Sequence, residues 1–158
     1  MEFEDPQPEG ILIGKQSLRE FLEQTEQTEV LRIRALLREL VSEGLRSGYR
    51  GGGRRPYHPA SMLGLVLWGL MEGKTSLRQL EKEARSDVRC WWLTGGIFPD
   101  HSVIGRFVNQ HAEELTEEFF EKLTRRVVEQ LGSPGGAVSA DGTLGAAAAS
   151  RCSRRYRR

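Results

Sequence analysis

The sequence has few of the residues that form covalently linked or metal-held folds. Its 158 residues include only two cysteines, Cys90 and Cys152, too few and too far apart for a disulfide framework or a paired-thiolate zinc site. The three histidines, His58, His101 and His111, have no second ligand four residues away, so a zinc site is not expected. We therefore expect both thiols to be reduced and incidental to function.

Long apolar runs are also missing. The longest, residues 60–71, has twelve residues, whereas a helix needs about 20 apolar residues to cross a bilayer. The N-terminus has neither the basic start nor the apolar stretch of a signal peptide. Since 38% of the residues are hydrophobic and 28% charged, the composition is that of a soluble globular chain. We expect a cytoplasmic protein with no membrane partner.

The chain has almost no net charge, +1 in total, but its charges alternate in blocks. Residues 1–45 carry a net charge of −5, residues 46–90 carry +5, residues 91–150 carry −4 and residues 151–158 carry +5. Basic blocks of this kind favour contact with phosphates through part of the surface. Chance clustering of charges on solvated helix faces is the alternative interpretation.

Apolar residues recur at three- and four-residue spacing along most of the chain, which predicts a mainly α-helical, multi-helix bundle. A first helix is predicted from Ser17, because Ser17 and Glu20 have the spacing of a capping box. Further helices are predicted over residues 28–45 with Gly44 at the end, 60–71, 75–84 with Thr75 as cap, 88–93 ended by Gly95 and Gly96, 101–111 with Asp100 or Ser102 as cap, and 112–131. Residues 1–16 lack periodicity and are predicted to be a loose lead-in.

Residues 46–59 form a basic, glycine-rich segment, which we call the basic linker. It holds four arginines, at positions 46, 50, 54 and 55, among four glycines and two prolines, and no helix or strand is predicted there. No P-loop is present, because the glycines are followed by arginines and proline rather than by Lys-Ser/Thr. The segment could follow a phosphate backbone or simply be a solvated linker, and the composition fits both equally.

Two of the predicted helices carry polar faces suited to DNA. Arg106, Asn109 and Gln110 share the polar face of helix 101–111, while Arg78 and Lys82 point outward from helix 75–84. Short helices joined by tight turns, with basic groups for phosphates and amides for base edges, are typical of a helix-turn-helix segment. A plain helical bundle with a polar exterior is the other interpretation.

One carboxylate stands where a catalytic residue would be expected. Asp141 ends a short predicted strand, residues 137–141, and is followed by Gly142. A single carboxylate cannot hold the pair of metal ions used in phosphoryl transfer. On spacing alone, an ordinary Asp-Gly turn is the better interpretation.

Five strings of the sequence occur together in a recognisable order. They are residues 53–59 with Met62-Leu63, residues 76–81, residues 92–96, residues 99–107, and the triplet Asp141-Gly142-Thr143. With this order and spacing the chain resembles, over about residues 25–150, the N-terminal half of bacterial insertion-sequence transposases of the DDE class, the InsH-like N-terminal domain.

The resemblance implies a function for each part of the chain. Residues 17–132 would be the helical domain that binds the transposon ends, and residues 137–150 would be the first strand of an RNase H-like catalytic domain. Asp141 would be the first of three carboxylates that bind two Mg²⁺ ions in the full-length family. Residues 144–149 depart from the family pattern, and only 17 residues follow Asp141. We therefore expect a truncated transposase, with an incomplete metal site and no cofactor of its own, followed by a basic tail, residues 151–158.

The expected partner is double-stranded DNA, in particular transposon terminal repeats. Phosphate contacts are expected from Arg54, Arg55, Arg78, Lys82 and the C-terminal arginines, and base contacts from Arg106, Asn109 and Gln110. Two alternatives stay open. The chain could be an interaction module that pairs with a full-length transposase and inhibits that enzyme, or that pairs with itself. It could instead be the first frame of a split enzyme and supply Asp141 to a catalytic domain encoded next to it.

Overall fold

Helix α4, Pro59–Met71, lies at the centre of the molecule. It begins where the Nδ1 atom of His58 accepts a hydrogen bond from the Ala60 N–H at 3.1 Å, and Pro59 suits the first helical position because it needs no hydrogen-bond acceptor there. Every residue of α4 except Met71 is buried. A helix that is apolar all round must be surrounded by other elements, and the arrangement of the chain follows from this.

The computed structural model describes residues 2–41, 43–49, 53–74 and 76–131, and these are mainly helical, as predicted. The remaining helices are α1 Leu18–Gln24, α2 Glu29–Leu40, α3 Glu43–Arg46, α5 Leu77–Ser86, α6 Val88–Thr94, α7 His101–Gln110 and α8 Glu117–Leu131. Helices α2, α5 and α6 pack on α4, whereas α1 packs on α6, α7 on α5 and α8 on α2. No helix in these ranges combines the length and the apolar character that a membrane crossing requires.

Several predicted helix ends are confirmed by their caps. The Ser17 hydroxyl accepts the Glu20 N–H at 3.1 Å at the start of α1. Asp100 accepts the Val103 N–H at 2.9 Å at the start of α7, and Gly95, in the left-handed conformation, ends α6. These ends were predictable because each depends on residues a few positions apart.

Other helix boundaries were predicted wrongly. The helix predicted over residues 28–45 is two helices, because Val41 is extended with ψ 111°, and Gly44 lies within α3. Ser76 rather than Thr75 caps α5, in a capping box with Gln79. The last helix begins at Glu117 rather than at residue 112, because the Thr116 hydroxyl accepts the Phe119 N–H at 3.1 Å.

Residues 2–16 are not a loose lead-in. A 3-10 turn over Pro8–Gly10 is followed by strands β1, Leu12–Ile13, and β2, Gln16–Ser17, which pair antiparallel. Nearer the N-terminus, Glu4 pairs with the basic linker: its N–H donates to the Pro56 carbonyl at 2.8 Å and its carbonyl accepts the His58 N–H at 3.1 Å. The segment was missed because backbone hydrogen bonds and strand pairing leave no helical period in the sequence.

Two arginines of α2 hold this N-terminal segment in place. Arg34, 7% exposed, donates to the Leu93 carbonyl at the end of α6 at 2.9 Å and to the Gln7 side chain at 3.3 Å. Arg38 forms an ion pair with Asp5. Burial raises the pKa of Asp5, but the hydrogen bond and charge of Arg38 outweigh it, so the pKa lies below its usual value. The segment is therefore fixed to α2 and α6 by charged groups.

An aromatic cluster joins the same segment to the basic linker and α7. The ring of Phe3 lies edge-on to Tyr49 and His58, with centroids 5.1 and 5.4 Å apart. The Tyr49 hydroxyl contacts His111 Nε2 at 3.0 Å, and the His111 ring packs 5.0 Å from Phe107. Burial lowers the pKa of both histidines, so we expect both to be neutral near pH 7.

Replacing Gly95 should destabilise the fold by more than backbone strain alone. Its φ is +75°, and an added Cβ would lie 1.9 Å from the Pro6 carbonyl oxygen. Gly73 is a matched control, since its φ is +77° but an added Cβ would meet no atom within 4 Å. Left-handed backbone costs roughly 1–2 kcal/mol in both variants, and Gly95→Ala should lose clearly more free energy of unfolding than Gly73→Ala in urea titrations. Equal losses would contradict the packing of Pro6 against Gly95.

The free energy of unfolding should fall as the pH is lowered below about 6.5. His58 and His111 have folded-state pKa values below the usual 6.5. On acidification the unfolded chain therefore takes up protons before the folded chain does, and this proton uptake favours the unfolded state. Protonation would also remove the acceptor that His58 offers to Ala60. Urea titrations between about pH 7.5 and pH 5.5 should show a slope of at most about 1.4 kcal/mol per pH unit for each histidine.

The matched variants are His58→Asn, which keeps a side chain able to cap α4, and His111→Gln. Each should flatten the pH dependence, and the double variant should flatten it most. A double variant with the slope of the unmodified protein would show that other groups cause the pH dependence.

Candidate nucleic-acid interface

The outer face of α7 is polar and exposed. Ile104, Phe107 and Val108 are buried on its inner side, while Arg106, Asn109 and Gln110 are exposed. Positions three and four apart share one face of a helix, so these three side chains lie together, at the place that the sequence pattern predicted.

Helix α5 borders α7 on one side. The Glu81 carboxylate accepts the His101 N–H at 3.0 Å, and an added Cβ on Gly105 would lie 3.1 Å from Leu77. Position 77 therefore lies beside 105 and position 81 beside 101, so the two helices run antiparallel. The hydrogen bonds from the His101 backbone and side chain lower the pKa of Glu81, which keeps this carboxylate ionised at the junction.

The exposed face of α5 is basic. Arg78, Lys82 and Arg85 are exposed, whereas Leu80 and Ala84 are buried. Successive residues of an α-helix are about 100° apart around its axis. The three cations therefore lie next to positions 77 and 81, which face α7, and on the side of α5 away from the core. The basic face of α5 therefore continues into the outer face of α7.

A cleft of about 390 Å³ borders α7 on its other side. We call it the α7 cleft. Its polar lining comes from Arg54 and Arg55 of the basic linker and from Arg106 and Gln110 of α7, so it brings together four of the predicted DNA-binding residues. Its aromatic and apolar lining comes from Tyr49, Pro56, Tyr57, Met62, Val103 and Phe107.

The arginines of the cleft differ in their partners. Arg54 lies 3.4 Å from Glu4 and Arg55 lies 3.0 Å from Glu2, with 75% and 63% of the two arginine side chains exposed. Ion pairs this exposed are worth little, about 0–1 kcal/mol, so they are readily exchanged for another anion. Arg106, Arg78 and Lys82 form no ion pair with any carboxylate of the described residues.

Two tyrosines of the cleft were missed at the level of sequence. Tyr57 lies under the Arg54 guanidinium, 5.5 Å from ring centroid to Cζ, and its hydroxyl accepts a hydrogen bond from Arg54 at 3.3 Å. Burial raises the pKa of Tyr49 to about 12, so its phenol stays neutral beside His111. The interleaving of tyrosine with arginine over residues 49–57 was a signal that could have identified them, since aromatic rings among cations are typical of nucleic-acid sites.

The catalytic part of the prediction lies outside the described residues. This concerns Asp141 with its metal site, the strand predicted over residues 137–150 and the C-terminal arginines. Within the described ranges, no group of three or more His, Cys, Asp or Glu side chains could hold a metal ion. Cys90 is buried, which raises the pKa of its thiol, so it is not placed to act as a nucleophile.

Comparison with known proteins identifies the family. The comparisons with curated proteins and with solved structures give no match. A family model described as "Transposase domain (DUF772)" matches residues 16–110. The match runs from strand β2 through the last residue of α7, so it includes the basic linker, the basic face of α5 and the outer face of α7. Because it covers more than half of the chain, this protein belongs to the DUF772 family of transposase domains.

Proposed function

We propose that this transposase domain binds double-stranded DNA at transposon ends, with the outer face of α7 in the major groove. The observation that supports this is the position of α7. It presents Arg106, Asn109 and Gln110 outward and has cations on both sides, on α5 and on the basic linker. The major groove, about 12 Å wide, admits one α-helix between two phosphate backbones, and this distribution of charge suits such a groove.

The residues have separate tasks in this proposal. Arg78 and Lys82 contact the phosphates of one strand, and Arg54 and Arg55 those of the other. Such contacts position the protein without reading sequence. Arg106 suits guanine, and the amides of Asn109 and Gln110 suit adenine, since these side chains can form paired hydrogen bonds with base edges. Helix α5 packs along α7 and supports it as the proposed reading helix.

The finer family assignment is also a proposal. The five sequence strings support an InsH-like DDE transposase, in which Asp141 would be the first of three carboxylates for two Mg²⁺ ions. The DNA downstream of the coding sequence tests it. A frame that carries a further Asp and Glu within strand and helix patterns would support the assignment, and unrelated sequence there would contradict it.

Replacing Arg106 should weaken binding to the specific DNA site. The variant Arg106→Ala should bind the terminal repeats of its own element about 5- to 150-fold less tightly, which corresponds to the roughly 1–3 kcal/mol of a base contact. It should also discriminate less between these repeats and scrambled DNA. Fluorescence anisotropy titrations with both duplexes at fixed salt would measure the effect.

The matched control is Arg126→Ala. Arg126 is an exposed arginine on α8, a helix that packs on α2 rather than on α7. It should leave affinity and specificity nearly unchanged. Equal losses in the two variants would mean that only net charge matters and would contradict base reading by α7. Binding with no salt dependence would contradict the DNA proposal itself.

The arginines of the basic linker should affect all DNA sequences alike. The double variant Arg54→Ala/Arg55→Ala should weaken binding to repeat and scrambled duplexes equally. It should lower the slope of log K against log salt by about 2, because two phosphate contacts are lost. Titrations at several salt concentrations would measure both quantities.

The reciprocal variant, Glu2→Gln/Glu4→Gln, removes the carboxylates that pair with these arginines. It should bind both duplexes more tightly, because the arginines no longer exchange one anion for another. If it binds more weakly than the unmodified protein, Arg54 and Arg55 do not contact phosphates.

A further inference from the structure

We infer that the α7 cleft accepts one unpaired nucleotide of a DNA strand, with its base on the apolar floor and its phosphate on Arg54 and Arg55. This inference rests on the proposed function, since it concerns the same DNA-binding surface, but it adds a distinct ligand. The ligand is a nucleotide outside the base stack rather than the edge of a paired base.

The size and charge of the cleft suit a nucleotide. Its volume of about 390 Å³ falls within the roughly 300–1,000 Å³ of small-ligand sites. Three arginines line it, Arg54, Arg55 and Arg106, and no carboxylate of the described residues does. A neighbouring cleft of about 530 Å³ shares Arg54 and Arg55 but is lined by Glu4 and Asp5 as well. The α7 cleft is therefore the more positive of the two. Arg106 forms no ion pair with a carboxylate of the described residues, and the pairs of Arg54 and Arg55 with Glu4 and Glu2 are exposed and weak, so a phosphate can replace these carboxylates.

The lining of the cleft also suits a base. Met62, Val103 and Phe107 supply apolar contact, and the rings of Tyr49 and Tyr57 stand beside the arginines. Bases of any sequence stack on aromatic rings, and guanidinium groups add a cation–π contribution. Tyr49 is held by Phe3 at a centroid distance of 5.1 Å and by His111 through its hydroxyl, so its ring is fixed before a ligand arrives.

The same features argue against a paired base as occupant. A base inside a duplex has both of its faces covered by its neighbours, so it cannot lie against tyrosine rings or an apolar floor. An unpaired base can lie against such surfaces, and moving it out of the stack costs less energy than moving a paired base. Because the cleft opens beside the outer face of α7, a nucleotide displaced from the duplex bound there would enter it directly.

The test compares three duplexes of the same sequence. One is fully paired, one has a single bulged 2-aminopurine nucleotide, and one has an abasic nucleotide at the bulge. We expect about tenfold tighter binding of the 2-aminopurine bulge than of the other two, together with quenching of its fluorescence as it stacks. If the abasic or the paired duplex binds as tightly as the 2-aminopurine bulge, the inference is wrong.

The variant Val103→Phe fills the floor of the cleft without removing a cation. It should lose the preference for the bulge and keep its affinity for the paired duplex. The control Val128→Phe makes the same change at a half-buried position of α8 and should keep the preference. Circular dichroism would verify folding of both variants, and the three-duplex comparison on the unmodified protein tests the inference even if Val103→Phe does not fold.

Two further outcomes are distinguishable. If the paired duplex binds with the expected salt dependence and the bulge gives no advantage, the nucleotide site is wrong and the proposed function stands. If no duplex binds, both are wrong.

Free deoxyadenosine monophosphate offers the same base and phosphate without a DNA strand. Displacement of the bulged duplex by this nucleotide at a comparable concentration would overturn the assignment to a DNA strand.

Discussion

The burial of α4 on all sides is the constraint on which the rest of the structure depends. Twelve of its thirteen residues are buried, so α2, α5 and α6 each have to turn an apolar face toward it. Helices α2 and α5 are amphipathic and keep their polar faces outside, whereas no residue of α6 is exposed. Helix α7 packs on α5, one layer further out. It therefore needs an apolar face on one side only, which leaves Arg106, Asn109 and Gln110 outward, as the proposed interaction with DNA requires.

The N-terminal segment has a second structural role, because it fixes the position of the basic linker. Two backbone hydrogen bonds join Glu4 to Pro56 and His58, while Arg34 and Arg38 fix the residues just after Glu4 to α2 and α6. The described part of the linker is thereby held beside α7, although no helix lies between the end of α3 at Arg46 and the start of α4 in the described residues. A glycine-rich segment would otherwise lose much conformational entropy on being ordered at a binding surface, and here part of that cost is met during folding.

The sequence allowed prediction of what depends on neighbouring residues. The caps Ser17 and Asp100, the end of α6 at Gly95 and the polar face of α7 all follow from residues within one or two turns. The break at Val41 was missed because the apolar spacing continues across it. The order of residues 2–16 could not be predicted from neighbouring residues, because it depends on contacts with distant segments. The α7 cleft was missed for the same reason. Its arginines were identified one by one, but its walls come from the basic linker, α4 and α7, which only the fold brings together.

The ion pairs of the basic linker would affect the proposed binding of DNA by a chain with so small a net charge. Glu2 and Glu4 partly neutralise Arg55 and Arg54 in the free protein, which reduces attraction to any polyanion at long range. At contact, the exposed pairs cost at most about 1 kcal/mol to break, whereas a phosphate contact also gains the release of counterions from the DNA. The cost of breaking these pairs is the same whichever DNA sequence is bound, because a phosphate contact carries no sequence information. In the proposed complex, the acidic N-terminal segment therefore lowers the overall affinity for DNA, while discrimination between sequences depends on the outer face of α7.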